Sequence, residues 1–201
     1  MAPERIVVFA MVMLACYGFT PMREQANQPI TKLSFSTATG PSINLQSTAT
    51  SKATVFIFLS PECPLSQQCT AGVNKLFNAF AGANVNFYGV IPGSLYSQQE
   101  VTEFATAYHL GFPMLMDTAN VLATLLNASV TPEVVMIDST CQIAYSGAID
   151  NSYIGLGKKN GAPTTAYLND AISSVIHSTS PAIARTKPVG CFIEFKQVNN
   201  E

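Results

Sequence analysis

The chain has no tryptophan, two histidines in 201 residues, and only 11% charged side chains. With a formal net charge of -2 there is no basic surface to draw in nucleic acid. The scarcity of histidine leaves little from which to build an imidazole metal site. His109 and His177 each follow a helical stretch, where a helix-end or surface role is the simpler reading. No Rossmann or P-loop glycine pattern is present, so nucleotide binding is not indicated. Low-complexity runs and solenoid-length repeats are missing too, as are a Ser-His-Asp order and paired carboxylates set in a motif. What remains is a chain that is 48% hydrophobic, enough for one sizeable core plus an export segment.

That segment occupies residues 1–24. Arg5 precedes an apolar run, residues 6–16, that is short for a bilayer span but suits a signal h-region. It ends in Met13-Leu14-Ala15-Cys16, which looks like a relaxed bacterial lipobox. Cys16 would then be the lipid-bearing first residue of a mature lipoprotein; ordinary cleavage shortly afterwards is the alternative. The chain is expected to be exported, either periplasmic or held to the membrane by a lipid anchor. Four cysteines follow, Cys63, Cys69, Cys141 and Cys191, and an oxidising compartment permits disulfides among them. They allow three complete pairings, and the sequence alone does not choose.

Residues 30–195 read as an α/β domain. Short alternating stretches between Leu33 and Leu45, split by Gly40-Pro41, predict a hairpin. Val55–Leu59 is unbroken and apolar, as a strand buried on both faces requires. A helix from Leu65 follows, with Val73, Leu76, Phe77 and Phe80 at i, i+3, i+4, i+7 spacing, ended by Gly82. Val85–Ile91 is a second strand, and Val101, Phe104, Ala105 and Tyr108 mark a second helix. Then come a strand at Phe112–Met116, a short helix at Val121–Leu126 and a strand at Val134–Ile137. A hairpin partner lies within Cys141–Ile149, and a final helix runs through Tyr167–Val175. The order β-α-β-α-β-β-α predicts a mixed central β-sheet flanked by helices. Beyond it, Lys187–Phe195 contains its own strand-like run.

Cys63 carries the chemistry. It closes the strand-to-helix turn Phe58-Leu-Ser-Pro-Glu-Cys63-Pro64, at the first turn of the predicted helix, with Pro64 as the starting residue. There the helix dipole and unpaired backbone N–H groups favour thiolate over thiol, lowering the pKa from about 8.5 to within roughly 3.5–7.5. Thiolate is the form that attacks disulfides and peroxides. Glu62 is expected to oppose this by raising the pKa. For an arbitrary cysteine a small buried hydrophobe would be the better reading. Here the strand, the proline and the later Thr131-Pro132 before another strand argue otherwise, since together they are the arrangement of the thioredoxin superfamily. In that fold the Thr131–Pro132 bond is expected to be cis, with its loop against the reactive sulfur and the preceding backbone open to an extended substrate.

The likeness extends along the chain. Phe58-Leu-Ser-Pro-Glu-Cys-Pro-Leu-Ser66, Tyr88-Gly-Val-Ile-Pro-Gly93, Phe112-Pro-Met-Leu-Met-Asp117, Val130-Thr-Pro-Glu-Val134 and Lys187-Pro-Val-Gly-Cys-Phe-Ile-Glu194 occur in family order. On these motifs the chain resembles the redoxin-domain proteins related to the alkyl-hydroperoxide-reductase/thiol-specific-antioxidant (AhpC/TSA) family, particularly exported members from Bacteroidetes. The resemblance implies a thioredoxin-like fold and thiol–disulfide exchange with Cys63 as nucleophile. Thr131 and Pro132 shape the partner groove in that reading. Protein thiols and disulfides, or hydroperoxides, are then the substrates, an external thiol is the electron donor, and no cofactor is called for.

Relatives of this kind commonly carry Cys-Pro-Leu-Cys, whereas this chain has Ser66 in the second position. Ser66 can hydrogen-bond the thiolate but cannot form a disulfide. Cys69 starts on a different helix face, about 9 Å along the axis, while pairing needs Cα atoms within roughly 7 Å. Cys191, in the tail motif, is the other candidate for resolution, with Gly190 expected to permit an unusual backbone angle. A structural bridge from Cys191 to Cys69 or Cys141 is an equal alternative. Cys141 reads as incidental, and Lys158-Lys159 as a loop of undetermined role. Ser60 fills the hydroxyl position of a peroxiredoxin loop, but Phe56 stands where its proline belongs, which ranks a thiol peroxidase second. A copper site built on Cys63 and Cys69 ranks low because their spacing is loose. A non-catalytic binding domain, its motif decayed at Ser66, is the rival from another class.

Overall fold

The computed structural model describes residues 29–38, 40–155, 157–160 and 163–195. The expected export segment 1–24, with Cys16, lies outside the described residues. Two short strands, β1 (Ser34–Phe35) and β2 (Ile43–Asn44), pair antiparallel as the predicted hairpin. Strand β3 (Ala53–Phe58) is buried at all six residues, which is what unbroken apolar sequence achieves when both faces are covered. It leads into α1 (Pro64–Ala79), β4 (Val85–Pro92) and α2 (Gln98–Ala107). Ser97 starts α2 with a full capping box, its hydroxyl accepting from the Glu100 N–H while the Glu100 carboxylate accepts from Ser97 N–H. Then come β5 (Met114–Asp117), α3 (Val121–Leu125), β6 (Val130–Thr131), β7 (Glu133–Asp138) and β8 (Ile143–Gly147). A small antiparallel pair, β9 (Tyr153–Gly155) and β10 (Lys158–Lys159), precedes α4 (Tyr167–Ile176) and the tail strand β11 (Cys191–Phe192).

The central sheet has the order β5-β4-β3-β7-β8. Strands β3, β4 and β5 run parallel, while β7 is antiparallel to both β3 and β8. Alternation along β3 divides the interior into two cores. Val55, Ile57 and Leu59 join Val73 of α1, Phe104 of α2 and Leu168 and Ile172 of α4. Phe56 and Phe58 join Leu122 of α3, Phe35 of β1 and, from the tail, Ile193. Helices therefore cover both faces, as expected for a mixed α/β sheet of thioredoxin type.

Some boundaries differ from expectation. The strand predicted at Phe112–Met116 begins at Met114, after Pro113, which has no backbone N–H to give to the ladder. Lys158 and Lys159 form an exposed short strand rather than a loop. The pairing of β11 with β6 was not foreseen, since two-residue strands leave no periodicity to read. Its register is antiparallel, Cys191 opposite Thr131 and Phe192 opposite Val130.

Candidate functional site

Three chain segments meet at the C-terminal end of β3. Cys63 is the N-cap of α1 rather than a residue of its first turn, with extended backbone at φ -77°, ψ 115°, and Pro64 follows as the first helical residue. Its carbonyl accepts the first helical hydrogen bond, from the Gln67 N–H at 3.0 Å. The side chain makes no capping bond to the helix, so the sulfur turns to the opposite wall. There the Thr131 carbonyl lies 3.0 Å from Cys63 Sγ and accepts from the thiol. Thr131–Pro132 is a cis peptide bond, as the sequence led us to expect.

Cys191 comes to the same point from the tail. Its Sγ lies 2.7 Å from Cys63 Sγ, closer than unbonded sulfurs normally rest and longer than the roughly 2.05 Å of a disulfide. Both are thiols here. Cys63 is buried and Cys191 exposed, so the pair has one inner and one outer sulfur. Burial pushes the Cys63 thiol up, but hydrogen bonds from the Cys191 thiol, the Ser66 backbone, the Cys191 backbone and the Ser66 hydroxyl outweigh it. The net result is a Cys63 pKa below the ordinary thiol value. Cys191 moves the other way, pushed up to about 11 by desolvation and by the neighbouring Cys63 sulfur. Of the two thiols, Cys63 is therefore the one that gives up its proton more readily, and Cys191 the one that holds it.

Ser66 is fully buried and also accepts from the Ser60 N–H at 3.2 Å, which braces the turn before Cys63. Cys69 is not brought to Cys63 in this way. Its thiol donates along the helix to the Ser66 carbonyl at 3.1 Å. Burial first, then the charges of Cys63 and Asp150, hold it well above the ordinary thiol range. Cys141 sits in the turn before β8 at φ 61°, with its N–H on the Asp138 carbonyl. Two expectations need correction. Glu62 is not among the groups that shift Cys63; it is exposed, and its Oε2 accepts from the Tyr96 hydroxyl at 3.5 Å. Gly190 is needed for closeness, not for an unusual angle. A Cβ built on it would lie 2.3 Å from the Thr131 carbonyl oxygen, and its φ is not in the left-handed region.

Four residues that matter here carried no individual signal in the sequence. Glu133 is buried and accepts at Oε2 from the Ser129 and Val130 N–H groups, at 2.7 and 3.2 Å, clamping β6. Asn120 donates its amide to the Glu194 carbonyl at 2.8 Å and pins the tail. Ile193 is buried, and its N–H donates to the Ser129 carbonyl at 2.9 Å. Tyr96 places its hydroxyl 2.9 Å from the Ser60 Oγ. The motif Val130-Thr-Pro-Glu133 contained the only hint, the carboxylate next to Pro132.

Beside the two thiols opens a cavity of about 930 Å³, running from Ser60 and Tyr96 to the tail residues Phe192–Phe195. Among the described residues its only charged lining groups are Glu62 and Glu194, both acidic. Arg185, the one arginine among the described residues, instead donates to Ser146 Oγ at 3.2 Å. No group of three or more His, Cys, Asp or Glu side chains among the described residues could hold a metal ion.

The sequence profile of the AhpC/TSA family matches residues 26–147. Among solved structures, a hypothetical protein of Sinorhizobium meliloti superposes with a TM-score of 0.74 at 22% identity, covering 85% of this chain and 94% of that one. An uncharacterized conserved protein of Geobacillus kaustophilus gives 0.73 at 22% identity, over 85% and 92%. A secreted Mycobacterium tuberculosis disulfide oxidoreductase homologous to E. coli DsbE gives 0.51 at 18% identity, over 78% and 98%. These likenesses show a shared thioredoxin-like fold. No curated protein matches the chain.

Proposed function

We propose that this chain, which belongs to the AhpC/TSA family, is a thiol–disulfide oxidoreductase in which Cys63 attacks and Cys191 resolves. The observation that carries this reading is the 2.7 Å approach of Cys191 Sγ to Cys63 Sγ at the start of α1. In the first step the Cys63 thiolate attacks one sulfur of a client disulfide. A Cys63–client S–S bond forms, the client's own S–S bond breaks, and the released sulfur leaves as a thiolate and takes up a proton. Cys191 then gives up its proton and attacks Cys63, forming Cys63–Cys191 and releasing the second client sulfur. Two electrons have passed from the protein dithiol to the client, and an external thiol donor restores the dithiol. Thr131 and Pro132 form the wall of the partner groove, and Ser66 holds the thiolate. No bound cofactor takes part.

Peroxide as oxidant of the same Cys63 is the second reading, and family membership favours it. Against it, the Ser60 hydroxyl is engaged by Tyr96, and the described residues that line the cavity include no cation to stabilise a leaving hydroxide. Export rests on the residue 1–24 pattern, in company with a secreted protein of this fold. Lipid anchorage at Cys16 rests on the lipobox-like run alone.

The test is turnover of a protein disulfide by the full chain with dithiothreitol as donor. Cys63→Ser should abolish it, while Cys191→Ser should stall it as a Cys63–client mixed disulfide visible by mass. Full turnover by Cys63→Ser would overturn the reading, as would unimpaired turnover by Cys191→Ser.

A further inference from the structure

The edge of β6 is occupied by the chain's own tail, and the details of that occupation describe what else could sit there. We propose that β11 is a tethered stand-in for the client. The client is then an extended polypeptide segment that displaces β11, pairs antiparallel with β6, and carries glycine immediately before its cysteine and a branched apolar residue two after it. This rests on the reading of Cys63 as the attacking thiol and on the extended substrate that the family resemblance implies, and adds to them the local sequence of that substrate.

Three observations set the pattern. The cysteine position is fixed by register, because Cys191 lies opposite Thr131 and its sulfur meets Cys63. The position before it tolerates no side chain. A Cβ on Gly190 would lie 2.3 Å from the Thr131 oxygen and 2.6 Å from its carbon, both backbone atoms held by the β6–β7 turn. Two positions after the cysteine, Ile193 is buried with Leu122, Leu126 and Ala128 in the second core, while its N–H bonds to Ser129. The residue between them is unread, since Phe192 is 84% exposed. Extended strands alternate in this way, so one edge reads only alternate side chains while the main chain supplies the hydrogen bonds.

The tail is also built to leave. Its strand is two residues long, and beyond Ile193 the described residues pin it by one bond, from Asn120 to the Glu194 carbonyl. The cavity alongside has apolar side chains on its rim, Leu95 at 72% exposed and Phe195 at 44%. Such a rim suits an unfolded, apolar segment.

The experiment uses the full chain carrying Gly190→Val and Cys191→Ser, in which the clash with Thr131 lifts the tail and Cys63 remains the attacking thiol. Four heptapeptides are activated as mixed disulfides of thionitrobenzoate. These are Pro-Val-Gly-Cys-Phe-Ile-Glu and the same peptide with valine for glycine, aspartate for isoleucine, or alanine for phenylalanine. Attack by Cys63 forms the Cys63–peptide bond, breaks the peptide–thionitrobenzoate bond and releases coloured thionitrobenzoate with the electron pair. Rates are divided by those of dithiothreitol with each peptide, which removes differences in intrinsic reactivity. The parent and alanine peptides should react alike, and at least about tenfold faster than the valine and aspartate peptides, the scale set by loss of one buried side chain. The parent should also react about tenfold more slowly with the chain carrying Cys191→Ser alone, whose tail still competes. Should Gly190→Val not fold, Asn120→Gly with Cys191→Ser loosens the tail from its other end. Equal rates for all four peptides, on a chain whose Cys63 reacts readily with dithiobis(nitrobenzoate), would sink the client proposal alone. So would equal rates with and without the tail in place. No reaction with dithiobis(nitrobenzoate) would sink the attacking role of Cys63 and this proposal with it.

Discussion

Cys191 Sγ lies 2.7 Å from Cys63 Sγ although 128 positions separate them in the chain. One sulfur is inner, with its pKa held below the ordinary thiol value, and the other is outer, with its pKa raised. On the proposed exchange reaction, this polarity has the inner sulfur attack first. Mild oxidation of the reduced chain with oxidised glutathione should therefore give a Cys63–Cys191 disulfide, read by peptide mass mapping. Cys69, whose thiol stays on the Ser66 carbonyl, should remain alkylatable after unfolding. A Cys63–Cys69 bridge as the main product would show that α1 unwinds instead.

The pH dependence of labelling follows from the direction of the Cys63 shift. Burial raises this thiol, and the bonds from Cys191 and Ser66 more than reverse it. Iodoacetamide should accordingly label Cys63 with a midpoint below that of the same thiol in the unfolded chain. Cys191→Ala removes a donor to the thiolate and should move the midpoint upward. Because the folded pKa lies below the unfolded one, the thiolate adds stability at pH above the unfolded value. That part is lost as pH falls through the folded value. A midpoint at or above that of the unfolded chain would contradict the hydrogen-bond assignment.

Hydroperoxide should be a poor substrate. Phe56 stands in place of the peroxiredoxin proline, Ser60 bonds to Tyr96, and the described residues of the cavity lining include no cation. Missing preorganised donors cost an acyl- or group-transfer site roughly 10²-fold or more in rate. Stopped-flow consumption of hydrogen peroxide by the reduced chain should lag well behind disulfide reduction. A faster reaction with peroxide would restore the peroxidase reading to first place.

Glu133 should matter far more than a residue beside a site usually does. Its buried carboxylate accepts from two backbone N–H groups and the Ser129 hydroxyl. Glu133→Ala strands those donors and should cost about 3 kcal/mol or more of unfolding free energy in urea, since each buried donor left without a partner costs about 1–3 kcal/mol. A loss under about 0.5 kcal/mol, the range of ordinary surface substitutions, would show that water replaces the carboxylate.

Tail anchorage can be isolated at Asn120. Its φ of 56° suits glycine, so Asn120→Gly removes the amide bond to Glu194 without adding backbone strain. Loss of one hydrogen bond of about 1 kcal/mol should speed amide exchange at Ile193 about fivefold. Unchanged exchange there would mean that Ile193 packing alone holds the tail.

Several elements could be read directly along the chain. The apolar run of β3, the i, i+3, i+4, i+7 faces of α1 and α2, and Pro64 after Cys63 all express short-range rules of burial and helix initiation. Each therefore appeared close to its predicted place. Cys63 was legible for the same reason, because a cysteine between a buried strand and a proline-started helix owes its position to its neighbours. Thr131-Pro132 needed the family likeness before it meant more than a strand entry. Tyr96, Asn120 and Glu133 were not legible, being ordinary polar residues whose roles depend on what the fold sets opposite them.

What the amino-acid order determined on its own was local: which segments bury, where helices begin, and which thiol stands at a helix start. The choice of partner thiol belonged to tertiary structure. Cys69 is close along the chain yet turned to the Ser66 carbonyl within its own helix. Cys191 is remote, yet β11 pairs with β6 and carries it to the Cys63 sulfur. That pairing depends on a Cβ-free Gly190 passing over the Thr131–Pro132 peptide and on Ile193 entering a core shared by α3 and β7. Such contacts are set by packing in three dimensions, and sequence separation carries no record of them.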